Sequence, residues 1–296
     1  MIILAPGGIG NQLFSLAFAL SVSEKKKVKI SVYANSRELV MAFKEANRSS
    51  KEFQNVRMVF GGLRNAWLSK INGKVNNLSL KQKKFLGKTA SKFVTVRDPS
   101  SIPNELLESD VNNPCLVSGF FQNASFIDGL SENIKFFLSD LICDSNYRID
   151  TALRNTVRIV GVHIRRGDYT KIQDYGTLSL EYFSQILSDI CKERDKIIVA
   201  SDELDVLNDF ASFRDVEIIS PKTYSPLETI RMLTKSEVFI MSNSTFSFWV
   251  GWLVSLRGGL VIRPNPWFKV TEVPENYLSL NNFINSSSKF EAKNDS

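Results

Sequence analysis

Between Val157 and Ile262, short β-branched runs alternate with helical segments so regularly that few architectures can hold them. Val157–Ile164, Lys196–Ala200, Val216–Ile219, Val238–Met241 and Gly259–Ile262 read as strands, the last as the final one. Ser179–Glu193, Leu204–Phe213, Pro226–Lys235 and Phe246–Leu256 read as helices, with Ser179 as a cap and proline in the first turn of the third. Strands that are apolar throughout need cover on both faces, and parallel neighbours need a crossover helix between them. The pattern therefore predicts a doubly wound parallel α/β sheet.

The first half is less regular. Residues 2–5 read as a buried strand, Gly7–Gly10 as its turn, Gln12–Glu24 as an amphipathic helix, and Val28–Val32 and Leu116–Phe121 as further strands. The polar, basic stretch from Ser36 to about Ser101 reads as helices and loops. The texture changes near residue 155, which divides the chain into domains 1–155 and 156–296, with an Asn-, Ser- and Lys-rich tail expected to fray from Asn281.

Composition narrows the function. A hydrophobic share of 43% and a charged share of 23% describe a globular chain. The net charge of +6 comes from short basic runs, Lys25–Lys27 with Lys29 and Lys81 with Lys83 and Lys84, and no aromatics interleave them. That is a solvated face rather than a nucleic-acid platform, with peripheral contact to anionic lipid as the alternative. Cys115, Cys143 and Cys191 fit neither a disulfide framework nor a zinc pattern. No charged leader precedes the first strand, and the longest apolar stretch, Phe246–Leu256, is about half a membrane span. These features together predict a cytoplasmic protein.

In an open parallel sheet, ligands bind beyond the carboxyl ends of the strands. Four loops there carry chemistry. His163-Ile164-Arg165-Arg166-Gly167-Asp168-Tyr169 follows a strand and sets two guanidiniums where planar paired donors suit phosphate; a surface Arg pair balanced by Asp168 is the alternative. His163 is the sole histidine, which excludes a multi-histidine metal site. Ser201-Asp202-Glu203 is either a helix cap or part of the site. Ser242-Asn243-Ser244-Thr245-Phe246 places four hydroxyl or amide side chains before a helix, where free N–H groups and the helix dipole favour phosphate. Gly7-Gly8-Ile9-Gly10-Asn11-Gln12 is a close-approach turn whose last fingerprint glycine is replaced by Leu13. No Asp-x-Asp occurs, so the carboxylate pair with which many sugar transferases hold a divalent cation is absent from the sequence.

Together these blocks resemble the α-1,2-fucosyltransferase family. Gly7-Gly8-Ile9-Gly10-Asn11-Gln12-Leu13-Phe14, His163 to Tyr169, Ser201-Asp202-Glu203 and Asn243 to Trp249 match its motifs in order. Gly119-Phe120-Phe121-Gln122 and Arg263-Pro264-Asn265-Pro266-Trp267-Phe268 match two quieter ones. Phe248 stands where the first Trp is usual, and Ser15 and Leu16 where Gln and Tyr are more frequent. Thr229 replaces a common Asp, a role the adjacent Glu228 would take toward guanine N–H groups.

The resemblance implies a GT-B-like α/β enzyme of two Rossmann-like domains, with the donor site in the C-terminal parallel sheet. The implied reaction is inverting and metal-free, with no cofactor. L-fucose would move from GDP-fucose to the 2-hydroxyl of a galactose-type residue. Arg165 and Arg166 would neutralise the leaving diphosphate; Asn243, Ser244, Thr245 and Phe246 at the helix start would hold the phosphates. His163 would serve the nucleoside end, Asp202 would also bind the donor, and Asn11 and Gln12, with Gly8 and Gly10, would close from the other domain. Asp168 is either the general base or the arginines' ion-pair partner. A bacterial enzyme acting on a lipid-linked O-antigen or capsule unit at the inner membrane face follows, its acceptor chosen by residues 36–115. The alternatives are a GT-B transferase with another nucleotide sugar or linkage, and a non-catalytic nucleotide-sugar binder.

Overall fold

Alternating β-branched strands and helices do produce two parallel sheets in the computed structural model, which describes residues 1–5, 7–50, 52–60, 92–96, 115–143, 157–172, 174–203, 205–206, 210, 215–270, 273 and 277–291. The chain divides into two compact units, Met1–Ile142 and Cys143–Ser296. The boundary expected near residue 155 lies outside the described residues.

In the first unit the described elements are β1 (Ile2–Ala5), α1 (Ile9–Lys26), β2 (Ile30–Ala34), α2 (Arg37–Ser50), β3 (Val56–Phe60), β4 (Lys92–Thr95), β5 (Cys115–Ser118), α3 (Ala124–Asp128) and α4 (Glu132–Cys143). The strands run β3-β2-β1-β5-β4, all parallel. Helix α1 is not the amphipathic helix that the sequence suggests. It is buried almost all round, with Ser15, Ser21 and Ser23 inside beside Leu13, Phe14 and Phe18. Small hydroxyls fit there because Ser15 Oγ returns its proton to the Asn11 carbonyl at 3.2 Å. The stretch from Ser36 holds β3 and β4, so reading it as helices and loops missed two strands. Val56-Arg57-Met58-Val59-Phe60 buries only alternate side chains, and this half-polar pattern hid β3 in a basic context.

The second unit contains β6 (Ile159–Ile164), a 3₁₀ turn (Gly167–Lys171), α5 (Leu180–Ile190), β7 (Lys196–Ser201), β8 (Val216–Ile219), α6 (Pro226–Leu233), β9 (Val238–Ile240), α7 (Thr245–Leu256), β10 (Leu260–Asn265) and β11 (Phe283–Ser287). The helix expected over Leu204–Phe213 lies largely outside the described residues. Ser179 caps α5 by accepting from the Tyr182 N–H, as expected. The strands run β11-β10-β9-β6-β7-β8, again all parallel. This is the Rossmann order 3-2-1-4-5-6, counted outward from β6. Tyr182, Phe183 and Leu187 of α5 pack on Val160, Val162, Val199 and Ile240, while α7 buries Trp249 and Trp252.

One expectation is corrected here. The tail does not fray from Asn281: Phe283–Ser287 adds a parallel edge strand to β10, in register from Val261↔Phe283 to Asn265↔Ser287. Its side chains are mostly exposed, so its polar composition is that of an edge strand rather than of a loose end. Among the described residues no helix is long and apolar enough to cross a membrane, and Cys115, Cys143 and Cys191 form no disulfide.

Candidate active site

Strand order reverses at β6: the chain proceeds to β7 and β8 on one side and returns through β9, β10 and β11 on the other. The carboxyl ends of β6 and β9 thus flank a topological switch point, the place where open sheets take ligands. His163 and Arg165 lie at the end of β6, and Ser242 to Ser247 follow β9 into α7.

The two strand ends are sewn together. The Arg165 N–H donates to Ser242 Oγ at 3.1 Å, and the Ser242 N–H donates to Ser247 Oγ at 3.1 Å. That same Ser247 hydroxyl lies 2.6 Å from His163 Nδ1. The buried His163 ring stacks on Phe246, with centroids 4.5 Å apart. Burial, reinforced by the neighbouring Arg165 charge, pushes His163 down to about 3. The imidazole is therefore neutral, a shaped polar floor rather than a cation.

Four polar residues in a row before α7 suggested phosphate ligands, and the structure gives most of them internal work. Ser244 is the N-cap, its Oγ accepting from the Ser247 N–H at 3.1 Å. Asn243, fully buried, donates through Nδ2 to the Gly176 carbonyl at 3.1 Å and fastens the loop after β6. Ser242 holds Arg165 as described. The side chains of Asn243 and Ser244 thus serve as loop and helix ties. Thr245 and Phe246, at the opening turn of α7, are the half-buried members of the block.

Both arginines are ion-paired. Arg165 Nη1 reaches Asp202 Oδ2 at 2.6 Å, its Nη2 pairs with Asp168, and its guanidinium carbon lies 5.5 Å from the centre of the Tyr169 ring. Arg166 Nε donates to Glu203 Oε2 at 2.9 Å, and its Nη1 pairs with Glu291. Asp202 also accepts the Arg166 N–H at 2.9 Å, so it shapes the turn as well as countering charge. Gly167 is needed there: at φ +22° a Cβ would come within 2.4 Å of the Asp202 carboxylate. Two guanidiniums face four carboxylates, among which Asp168 is the most exposed, at 61%. Asp168 pairs with Arg165 here.

Beside Arg165 runs an aromatic row that the sequence only hinted at through Arg263-Pro264-Asn265-Pro266-Trp267-Phe268. Tyr169 leads to Tyr175, Tyr175 stacks on Phe268 at 4.6 Å, and Trp267 and Tyr277 complete the cluster. Burial pushes the Tyr277 phenol up to about 12, so it stays protonated. Arg263, 1% exposed, anchors the row from below through Asn285 of β11 at 2.7 Å and the Tyr277 carbonyl at 2.9 Å. A buried guanidinium in a strand has no periodic signature, and only its place in the Arg-Pro motif marked it.

Two expected donor contacts have other partners. Glu228 completes a capping box with Ser225 at the start of α6, its Oε2 accepting the Ser225 N–H at 2.8 Å. That hydrogen bond holds its carboxyl below the usual range. In the first unit the buried Gln12 clamps two loops, donating to the Gly7 carbonyl at 2.8 Å and accepting the Ser36 N–H at 2.9 Å. Asn11 accepts from Gln122 at 2.9 Å, and Gly7, at φ +78°, leaves room for the Asn11 amide. Gly8 caps α1 without a side chain, and Gly10 is buried in its first turn. Gln12 is therefore a structural tie, while Gly8, Gly10 and Asn11 form the turn at the carboxyl end of β1. Among the described residues no group of three or more His, Cys, Asp or Glu is arranged to hold a metal ion.

Known proteins agree with this architecture. The family model described as glycosyl transferase family 11 matches residues 1–271. The O-antigen biosynthesis glycosyltransferase WbnK of Escherichia coli is 24% identical over 301 residues, covering 94% of this chain and 98% of its own. An alpha-1,2-colitosyltransferase of Escherichia coli is likewise 24% identical over 297 residues, covering 90% and 92%. In fold, the crystal structure of the glycosyl transferase family 9 from Veillonella parvula superposes with a TM-score of 0.50 at 12% identity, over 97% of this chain and 85% of that one. Two Rossmann-like units of GT-B type, a loaded switch point and a family match running through both units lead to one assignment: the chain is a glycosyltransferase and belongs to glycosyl transferase family 11.

Proposed function

We propose that this chain transfers L-fucose from GDP-fucose to the 2-hydroxyl of a galactose-type residue in a glycan, with inversion and without a metal ion. The observation that carries the reading is the adjacent pair Arg165–Arg166 at the switch point of the second sheet. The bond from the sugar's anomeric carbon to the β-phosphate breaks as that carbon bonds to the acceptor oxygen. Negative charge then grows on the diphosphate, and fixed guanidiniums stabilise it more as the bond breaks. A phosphate oxygen arriving at Arg165 would displace the exposed Asp168 rather than the deeper Asp202. An exposed ion pair is worth about 1 kcal/mol or less, so the exchange costs little. Asp168, released, would then be placed to take the acceptor proton.

In this reading the second unit, with His163, Asp202, Thr245 and Phe246, binds the donor, and the first serves the acceptor. The relative named for O-antigen biosynthesis supports a bacterial surface glycan as acceptor, a lipid-linked unit met at the membrane face. The relative named alpha-1,2-colitosyltransferase supports the 1,2 linkage and favours a second reading, another sugar on the same linkage. The test is a donor screen of GDP-fucose, GDP-mannose and UDP-sugars against β-galactosides, with product linkage read by NMR. Turnover of GDP-fucose into a 1,2-linked product is expected. Turnover of another donor alone selects the second reading, and GDP-fucose binding without transfer or hydrolysis selects a non-catalytic binder.

A further inference from the structure

What grips Arg166 comes from the far end of the chain. The family match ends at residue 271, yet the partner of Arg166 Nη1 is Glu291, beyond β11. Glu291 is held from several sides. Its N–H donates to the Thr177 carbonyl at 2.9 Å, and its carbonyl accepts Lys269 Nζ at 2.8 Å. One residue earlier, Phe290 bridges Leu178 in antiparallel fashion and packs against the core under α5. Before that, the Lys289 carbonyl accepts the Ser179 N–H at 2.7 Å, and Lys289 Nζ pairs with Glu181 at 2.6 Å. These bonds fix the Glu291 backbone, so its carboxylate reaches Arg166 from an anchored position and not from a loose end.

The geometry at Arg166 shows what a fixed point there would do. Glu203, from the loop after β7, takes Nε; Glu291 takes Nη1. Among the described residues Nη2 has no ion-pair partner. The two carboxylates hold different nitrogens of one planar group, so together they set its plane and leave Nη2 to a further anion. With Glu203 alone, the guanidinium could turn about its long side chain and take that carboxylate in a fork.

We propose that Glu291 is a positioning residue, and that the segment Phe283–Glu291 sets the orientation of Arg166 toward the diphosphate of the donor. This rests on the reading above, in which Arg166 meets that diphosphate.

The test uses the full chain in four forms beside wild type: Glu291→Gln, Glu291→Asp, Arg166→Ala and the double variant Arg166→Ala/Glu291→Gln. GDP affinity is measured by calorimetry, and turnover with GDP-fucose as donor is resolved into kcat and both KM values. Glu291→Gln is expected to weaken GDP binding and lower kcat over donor KM by about three- to tenfold, with acceptor KM unchanged. Glu291→Asp should recover part of the loss. In the Arg166→Ala background, Glu291→Gln should add nothing, because its partner is already gone. Loss of activity in Arg166→Ala with wild-type behaviour in Glu291→Gln would overturn the positioning role and leave the diphosphate reading standing. Additive losses in the double variant would overturn it too, by showing that Glu291 acts through the general fold; that comparison decides the matter even if Glu291→Gln melts early. Wild-type GDP affinity and turnover in Arg166→Ala would remove the diphosphate reading, and the positioning role with it.

Discussion

At the residue scale, the Arg pair and the lone histidine behave in opposite ways. Each arginine stays charged and tethered, so truncating one removes a charge-assisted contact worth a few kcal/mol. Arg165→Ala or Arg166→Ala is expected to lower kcat at least about tenfold in steady-state assays; full activity of the double variant would take the leaving group away from this pair. Asp168→Asn separates the two roles of that carboxylate. If Asp168 is the base, kcat falls by roughly a hundredfold or more at unchanged GDP affinity; if it anchors Arg165, GDP affinity falls with it. His163 stays neutral. With its folded pKa near 3 and an ordinary value of 6.5, the unfolded chain binds the extra proton between those limits. Stability is then lost as pH falls below 6.5, by roughly 1.4 kcal/mol per unit, and is unaffected by this residue above it. Urea midpoints from pH 7.5 to 5 should show that slope in wild type and a shallower one in His163→Gln. The sequence named these residues because His-x-Arg-Arg-Gly-Asp-Tyr is a dense chemical pattern. It said nothing of Ser247 as the imidazole's partner, or of Glu291, since contacts between distant residues leave no local trace.

Among elements, the N-terminus of α7 is the clearest case of a polar motif bonded within the fold. Ser242 and Ser247 tie the end of β6 to the segment after β9, Asn243 holds the Gly176 loop, and Ser244 caps α7. Ser244→Ala should therefore cost about 1 kcal/mol of stability, as loss of a cap does, read as a shift in the urea midpoint. Ser225→Ala at α6 should cost a similar amount, and no change in either would mean that the capping geometry carries no weight. The strands of the second sheet could be read directly because burial on both faces demands β-branched residues throughout. β11 could not be. An edge strand is held by backbone hydrogen bonds to β10, and Asn285, Ser286 and Ser287 advertise nothing of them. α1 was placed but misjudged, since a helix sealed inside its unit has no polar face to show.

For the whole molecule, the proposed reaction meets the leaving charge with arginines, and the chain offers no Asp-x-Asp. Activity is expected to survive excess EDTA; activity lost to the chelator and restored by Mn²⁺ or Mg²⁺ would show a ligand set outside this account. The proposed donor site at the switch point also has a practical side. His163 is the only histidine of the chain, and it sits wedged between Phe246 and the Ser247 hydroxyl beside Arg165. In the untagged protein every imidazole resonance in an NMR spectrum comes from this one ring. Ring-current and hydrogen-bond changes at the donor end would therefore appear as movement of a single, self-assigned signal, giving the enzyme a built-in reporter of occupancy that needs no label chemistry.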